Sequence, residues 1–312
     1  MSEHRKKVRF YDTVLILEDG KETPVPNDFW SDLITKLPKW KPIERRFPVH
    51  GVNYFGMGKR PKKYLPHVVV DRVRSLSEQL NRTNQVTGDQ APLVLGDPNE
   101  RVSEPTYIVP FGLRGRVAVM SPAVRPTRIE TIGQWVTGVC SLALQGRSIE
   151  LRPIVDPDTI NRLVAADGAL ALDVSINADT HIPDGGGVVA DAMRQAQAGA
   201  LDGATVKIYW SLGNGMGDPT VRDALKNGAM WIARHGFTRR AKVKMLESDE
   251  DGKLLRDEMR DIFNDEIVQT IRFVVPGDQR IPEETLLAEI GKAVTEFQGK
   301  PVSQGDRRVL DK

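Results

Sequence analysis

Cysteine is almost missing from this chain: Cys140 is the single thiol in 312 residues. That excludes an intrachain disulfide and any metal site built from cysteines. Cys140 lies in the apolar helical pattern GQWVTGVCSLAL with no histidine near it in sequence, and reads as a small core residue rather than a nucleophile. Long apolar runs are missing too. The opening MSEHRKKVRF has no signal-peptide core, and no segment approaches the length of a membrane span, so a cytoplasmic protein without direct membrane insertion is expected. The formal net charge of +2 excludes a uniformly basic nucleic-acid coat. Histidine is sparse, and His4, His50, His67, His181 and His235 show no metal-ligand spacing. No G-x-S-x-G elbow and no Walker lysine is found. The sequence therefore predicts no catalytic residue, no metal and no cofactor.

What the chain does have is an uneven distribution of charge. Residues 39–63, KWKPIERRFPVHGVNYFGMGKRPKK, hold eight cations against Glu44, a local charge of +7, with Trp40, Phe47, Tyr54 and Phe55 interleaved. Cations neutralise phosphates and aromatic faces stack on bases. VHGVNYFGMGKRPKKYLPHVVV reads as two extended runs joined at a turn, with Lys59, Arg60, Lys62 and Lys63 at its tip. The alternative is a solvated loop that serves solubility. Tyr54 and Phe55 read as packing residues before stacking ones. A second cationic group, Arg114, Arg116, Arg125 and Arg128, surrounds the hairpin TYIVPFGLRGRVAVMSPAV and the start of the helix after it. Residues 247–266 are acidic, nine acids against three cations, a local charge of −6. They offer a surface for a protein partner.

In chain order, a strand (KKVRFYDTVLILEDGK) leads to a helix over PVPNDFWSDLITKL, capped by Asn27 or Asp28 and stopped by Pro38. Residues 75–104 are polar and read as a long surface loop broken by a short run at 92–95. Ile129, Ile132, Trp135, Val136, Val139 and Leu142 fall at helical spacing. From Arg147 strands and helices alternate, the mark of an α/β unit. Then come a strand (TRRAKVKMLES), an acidic turn, a short acidic helix, a strand (VQTIRFVVP), the helix PEETLLAEIGKAVTEF and a tail from Gly299. The fold class is α+β or mixed α/β: a hairpin-rich body at 1–146 plus 237–312, with an inserted βαβαβα-type domain at 147–236.

Two glycine segments invite phosphate readings. Gly213, Gly215 and Gly217 give G-x-G-x-G, but Asp218 stands where the dinucleotide fingerprint needs glycine, so a turn and a capped helix start explain the segment. DGGGV at 184–188 reads as a hinge or connection. Glu150, Asp156 and Asp158 are the nearest approach to a nuclease set, without a lysine nearby. A metal-dependent nuclease or nucleotide-processing effector is the catalytic alternative.

The order of elements resembles that of the RexA-like phage-exclusion family. The likeness rests on the hairpin at 49–70 with Asn53-Tyr54 and the basic turn, on the second hairpin running into a helix, and on RSIELRPIVDPDTINRL, DGATVKIYWSL and AKVKMLESDEDGKLL. The resemblance implies a sequence-tolerant double-stranded DNA-binding homodimer, a body with a second domain that changes orientation, and a role as an intracellular phage sensor with a downstream membrane-protein partner. The chain departs from the family in its polar stretch at 75–104 and in having DPTVRDAL where that family has a lysine-rich helix. The hairpin cations Lys59, Arg60, Lys62 and Lys63, supported by Arg45, Arg46, Arg114, Arg116, Arg125 and Arg128, are the expected DNA contacts.

Overall fold

Alternating apolar and polar residues fill most of the extended segments, and sheets dominate accordingly. A computed structural model describes residues 2–74, 81–83, 87, 89–93, 95–97, 100–113, 115–123, 126–155, 157–201, 203–213, 215, 217–238, 240–248, 254–262, 268–275 and 281–299. The elements are β1 (Ser2–Ile16), β2 (Glu22–Pro24), α1 (Phe29–Lys36), β3 (Arg46–Val49), β4 (Val52–Lys59), β5 (His67–Val73), β6 (Asn81–Thr83), β7 (Gln90–Pro92), β8 (Ser103–Pro110), β9 (Val117–Met120), α2 (Ile129–Val139), β10 (Ser148–Pro153), α3 (Pro157–Ala165), β11 (Gly168–Asn177), α4 (Gly187–Ala198), β12 (Thr205–Ser211), α5 (Pro219–His235), β13 (Arg240–Ser248), β14 (Leu254–Asp261), β15 (Val268–Val275) and α6 (Glu283–Gly299). The class is mixed α+β, as the sequence predicts.

The chain divides into two units. The first holds Met1–Val8, Val25–Leu151 and Thr270–Lys292; the second holds Arg9–Pro24, Arg152–Gln269 and Ala293–Lys312. Residues 237–269, which the sequence reading assigns to the body, fall in the second unit because β13 pairs with β11 and β14 pairs with β13.

In the first unit β9, β8, β5, β4 and β3 are neighbours in that order in one sheet. Both expected hairpins are present, β4 with β5 and β8 with β9, each antiparallel. Gly112 (φ 62°) and Gly115 (φ 67°) supply the left-handed positions of the second turn, closed by the Phe111 amide donating to the Arg116 carbonyl at 3.0 Å. Helices α1 and α2 approach β4 at its two glycines. The backbone of Ile34 lies over Gly58 and the Trp135 ring over Gly56, close enough that any Cβ there would overlap them. Trp135 is fully buried and its indole N–H donates to the Arg45 carbonyl at 3.2 Å. Burial of an aromatic this size contributes about 3–5 kcal/mol. Helix α2 ends at Val139, three residues short of Leu142, because Ser141 turns left-handed (φ 54°).

In the second unit four strands pair antiparallel in the order β12-β11-β13-β14. The strand–helix alternation is therefore real, but the strands do not run parallel; alternation fixes the sequence of elements and leaves direction open. Even-numbered residues of β11 (Leu172, Val174, Ile176) join Val243 and Met245 in one core with Leu163 of α3, Met193 of α4 and Ile232 of α5. The helices thus share one face of the sheet. Segment 254–261, expected as an acidic helix, is strand β14, which places Asp261 opposite Lys242 on the edge of the sheet. α5 is capped as the sequence predicts, with Asp218 Oδ1 accepting from the Thr220 amide at 2.7 Å and Gly236 left-handed at its end. Gly186 of the DGGGV run packs beneath Trp231, whose indole N–H donates to the Asp184 carbonyl at 3.1 Å. The run is a close-packing device where the sequence suggested a hinge.

Candidate nucleic-acid interface

The β4–β5 hairpin forms because extended, apolar-rich runs flank Pro61 and Pro66, and its last cross-strand pair is Lys59 with His67. The loop between them carries Arg60, Lys62 and Lys63. It is held from outside the hairpin at several points. Lys59 Nζ stands 2.7 Å from Glu283 Oε1, at the first residue of α6. Tyr64 donates its hydroxyl to Glu284 Oε2 at 3.0 Å. Arg60 donates to the Ser31 carbonyl at 3.0 Å. His67 is buried, its Nδ1 3.0 Å from the Leu65 carbonyl and its Nε2 3.3 Å from Glu283 Oε1. Burial pushes the Glu283 carboxyl up, but Lys59 and His67 outweigh it and hold it below the usual carboxylate range.

Sequence reasoning saw the tip cations but not this bracing, since the glutamates come more than 200 residues later. Glu283 compensates Lys59. Lys62 and Lys63 are exposed, and neither has an ion pair among the described residues. The tip is therefore a tethered loop that presents two uncompensated lysines beside Arg60.

The supporting arginines divide. Arg46 is exposed at the start of β3, opposite Phe55 and about 13 Å from the Lys59 end of β4. Arg128 is exposed at the N-cap of α2. Arg116 is half-buried at the second turn. Arg45 is only 7% exposed and its guanidinium donates to Met57 Sδ at 2.8 Å. It leaves the expected interface, because reaching a phosphate would require pulling it out from the sheet. Arg114 and Arg125 lie outside the described residues. Arg72 and Arg74, on and just past β5, both pair with Glu104, at 3.3 and 2.9 Å. Tyr54 is buried and packs in the sheet, and Phe55 is half-buried.

The remaining candidates disperse. Asp156 lies outside the described residues, Asp158 sits in the first turn of α3, and Glu150 is on β10. Among the described residues no group of three His, Cys, Asp or Glu side chains could hold a metal ion. Of the acidic stretch 247–266, residues 249–253 and 263–266 lie outside the described residues, and 254–261 form strand β14. Cys140 is half-buried at the C-cap of α2, and burial pushes its thiol up to about 11. Among the described residues no helix is long and apolar enough to cross a membrane.

In the second unit Glu22 gathers a cluster that sequence spacing could not reveal. Its carboxylate is 2.7 Å from Arg152, 3.3 Å from His235 Nδ1 and 3.7 Å from His181 Nε2. Burial pushes the carboxyl up, but His235 and Arg152 reverse this and bring it down to about 2. With Arg152 itself buried, the arrangement is a structural ion cluster.

The chain matches no protein-family model and no curated protein.

Proposed function

We propose that this protein binds double-stranded DNA through the phosphate backbone, without reading bases, using the β4–β5 tip. The observation that carries this reading is the pairing of exposure with restraint: Lys62 and Lys63 project from a loop fastened to Glu283 and Glu284. Cations held in place lose less conformational entropy on meeting a phosphate than those on a free tail. Arg60 and Arg46 extend the positive surface. No catalytic step is assigned. A role in phage exclusion, as a homodimer with a membrane-protein partner downstream, is part of the proposal through the resemblance in element order.

The test is fluorescence anisotropy with a labelled 20-base-pair duplex of arbitrary sequence, titrated across salt concentration. Each phosphate contact contributes about 0.9 to the slope of log affinity against log salt. Changing Lys62 and Lys63 together to Ala should weaken binding and flatten the slope by about 1.8. Absence of wild-type binding at low salt would refute the reading.

A further inference from the structure

The sheet of the second unit has helices packed on one face, so the residues on its other face are set by register. Tyr209 of β12 is opposite Asp173 of β11, which is opposite Lys242 of β13. One row along, Lys207 is opposite Ser175, which is opposite Arg240. In the row on the other side stands Lys244, opposite Ala171. None of these side chains belongs to the apolar core that α3, α4 and α5 share with the sheet. Tyr209 is 60% exposed, and the side chains of Lys207 and Arg240 are 60% and 47% exposed.

Strand geometry gives the spacing. Arg240, Lys242 and Lys244 occupy alternate positions of one strand, about 7 Å apart, and the backbone of Tyr209 is two strands from Lys242, roughly 10 Å. Asp173, 8% exposed, has its Oδ2 3.6 Å from Lys207 and 4.0 Å from Arg240, which draws those two heads over the central strand. Asp261, opposite Lys242 on β14, is a second acid on this face. Among the described residues of these rows, four cations against two acids leave the surface positive around an exposed aromatic ring.

We propose that this open face binds single-stranded DNA, with one base stacked on Tyr209 and the sugar–phosphate backbone following the cations of β13 and Lys207. Charge complementarity selects a polyanion, and the exposed ring selects an unpaired base. In a duplex both faces of each base are already stacked, so Tyr209 has nothing to accept there. A four-stranded sheet that offers an aromatic ring and neighbouring cations is a general solution to holding unpaired nucleotides. The choice of DNA over RNA rests on the hairpin reading above; the stacking surface does not.

The test uses the full chain and three fluorescent probes: a twelve-nucleotide oligo(dT), a twelve-nucleotide oligo(rU) and the 20-base-pair duplex. Tyr209→Ala should weaken oligo(dT) binding about 5- to 150-fold and leave the duplex unaffected, while Tyr209→Phe keeps wild-type affinity. K242A/K244A should flatten the oligo(dT) salt slope by about 1.4. K62A/K63A should weaken the duplex and spare oligo(dT). All these side chains are at least partly exposed, and unchanged thermal melts identify folded variants. Oligo(dT) affinity that is undetectable at low salt, or equal in wild type and Tyr209→Ala, overturns the proposal. Oligo(rU) binding more than tenfold tighter than oligo(dT) overturns the choice of DNA. Absence of duplex binding by the wild type, with a Tyr209-dependent oligo(dT) signal, refutes the hairpin reading and supports this one.

Discussion

Lys59 and Glu283 are 224 positions apart in the chain, yet their charged atoms meet at 2.7 Å, joining the end of β4 to the start of α6. Glu283 also faces buried His67, so one carboxylate fixes both ends of the hairpin loop.

A compensated lysine should matter less to DNA than an uncompensated one. Lys59→Ala is expected to lower duplex affinity by less than Lys62→Ala or Lys63→Ala, in the same anisotropy titration. On stability the order reverses. In a double-mutant cycle Lys59→Ala and Glu283→Gln should couple by about 0.5–1 kcal/mol, modest because both side chains are partly solvated and screened. Zero coupling would show that the contact does not hold in solution.

Acid should loosen the second unit through Glu22. Its folded value of about 2 lies below the ordinary 4.5. Its contribution is therefore complete above about pH 4.5 and is lost as the pH falls toward 2. The gap corresponds to about 3 kcal/mol as an order of magnitude. Urea melts of Glu22→Gln should show a lower midpoint at pH 7 and less dependence on pH between 5 and 2 than wild type. Parallel pH profiles for the two proteins would disprove the assignment.

Gly58 has no room for a side chain, because the atoms above it are the backbone of Ile34 rather than a flexible tip. Gly58→Ala is expected to cost about 1–3 kcal/mol or more, read as a fall in the thermal or urea midpoint. Gly51→Ala, in open space but left-handed (φ 77°), isolates the cost of backbone strain alone. Equal losses at both positions would argue against the close approach of α1.

Cys140 should be slow to react. A thiol near 11 has about 100-fold less thiolate at pH 8 than a free cysteine. Alkylation by iodoacetamide in the folded protein should be slower by at least that factor and recover in urea. Reaction at the free-cysteine rate would contradict its burial.

Much of the architecture was legible because it is local. Gly112 and Gly115 announce the second hairpin, and Asp218, Pro219 and Gly236 bracket α5 as capping chemistry requires. Segment 254–261 misleads, since LLRDEMRD has the composition of an exposed helix and becomes a strand through pairing with β13. The site was legible only in part. The cations of 59–63 are visible as a run, but which are compensated depends on Glu283 and Glu284, and burial of Arg45 depends on the strand beside it. On the second sheet the signal was present in the alternation of RAKVK and of TVKIYWS, where the cations and Tyr209 hold one parity.

The division of the chain also bears on how the protein is made. The backbone passes between the two units five times, after residues 8, 24, 151, 269 and 292. A ribosome adding about 5–20 residues per second needs roughly 15–60 seconds before the last stretch of the first unit has been polymerised. Until then the braces Glu283 and Glu284 do not exist, and the lysine-bearing loop has already been synthesised. Neither unit can be copied, shuffled or expressed as one uninterrupted stretch of gene, so the two are inherited together.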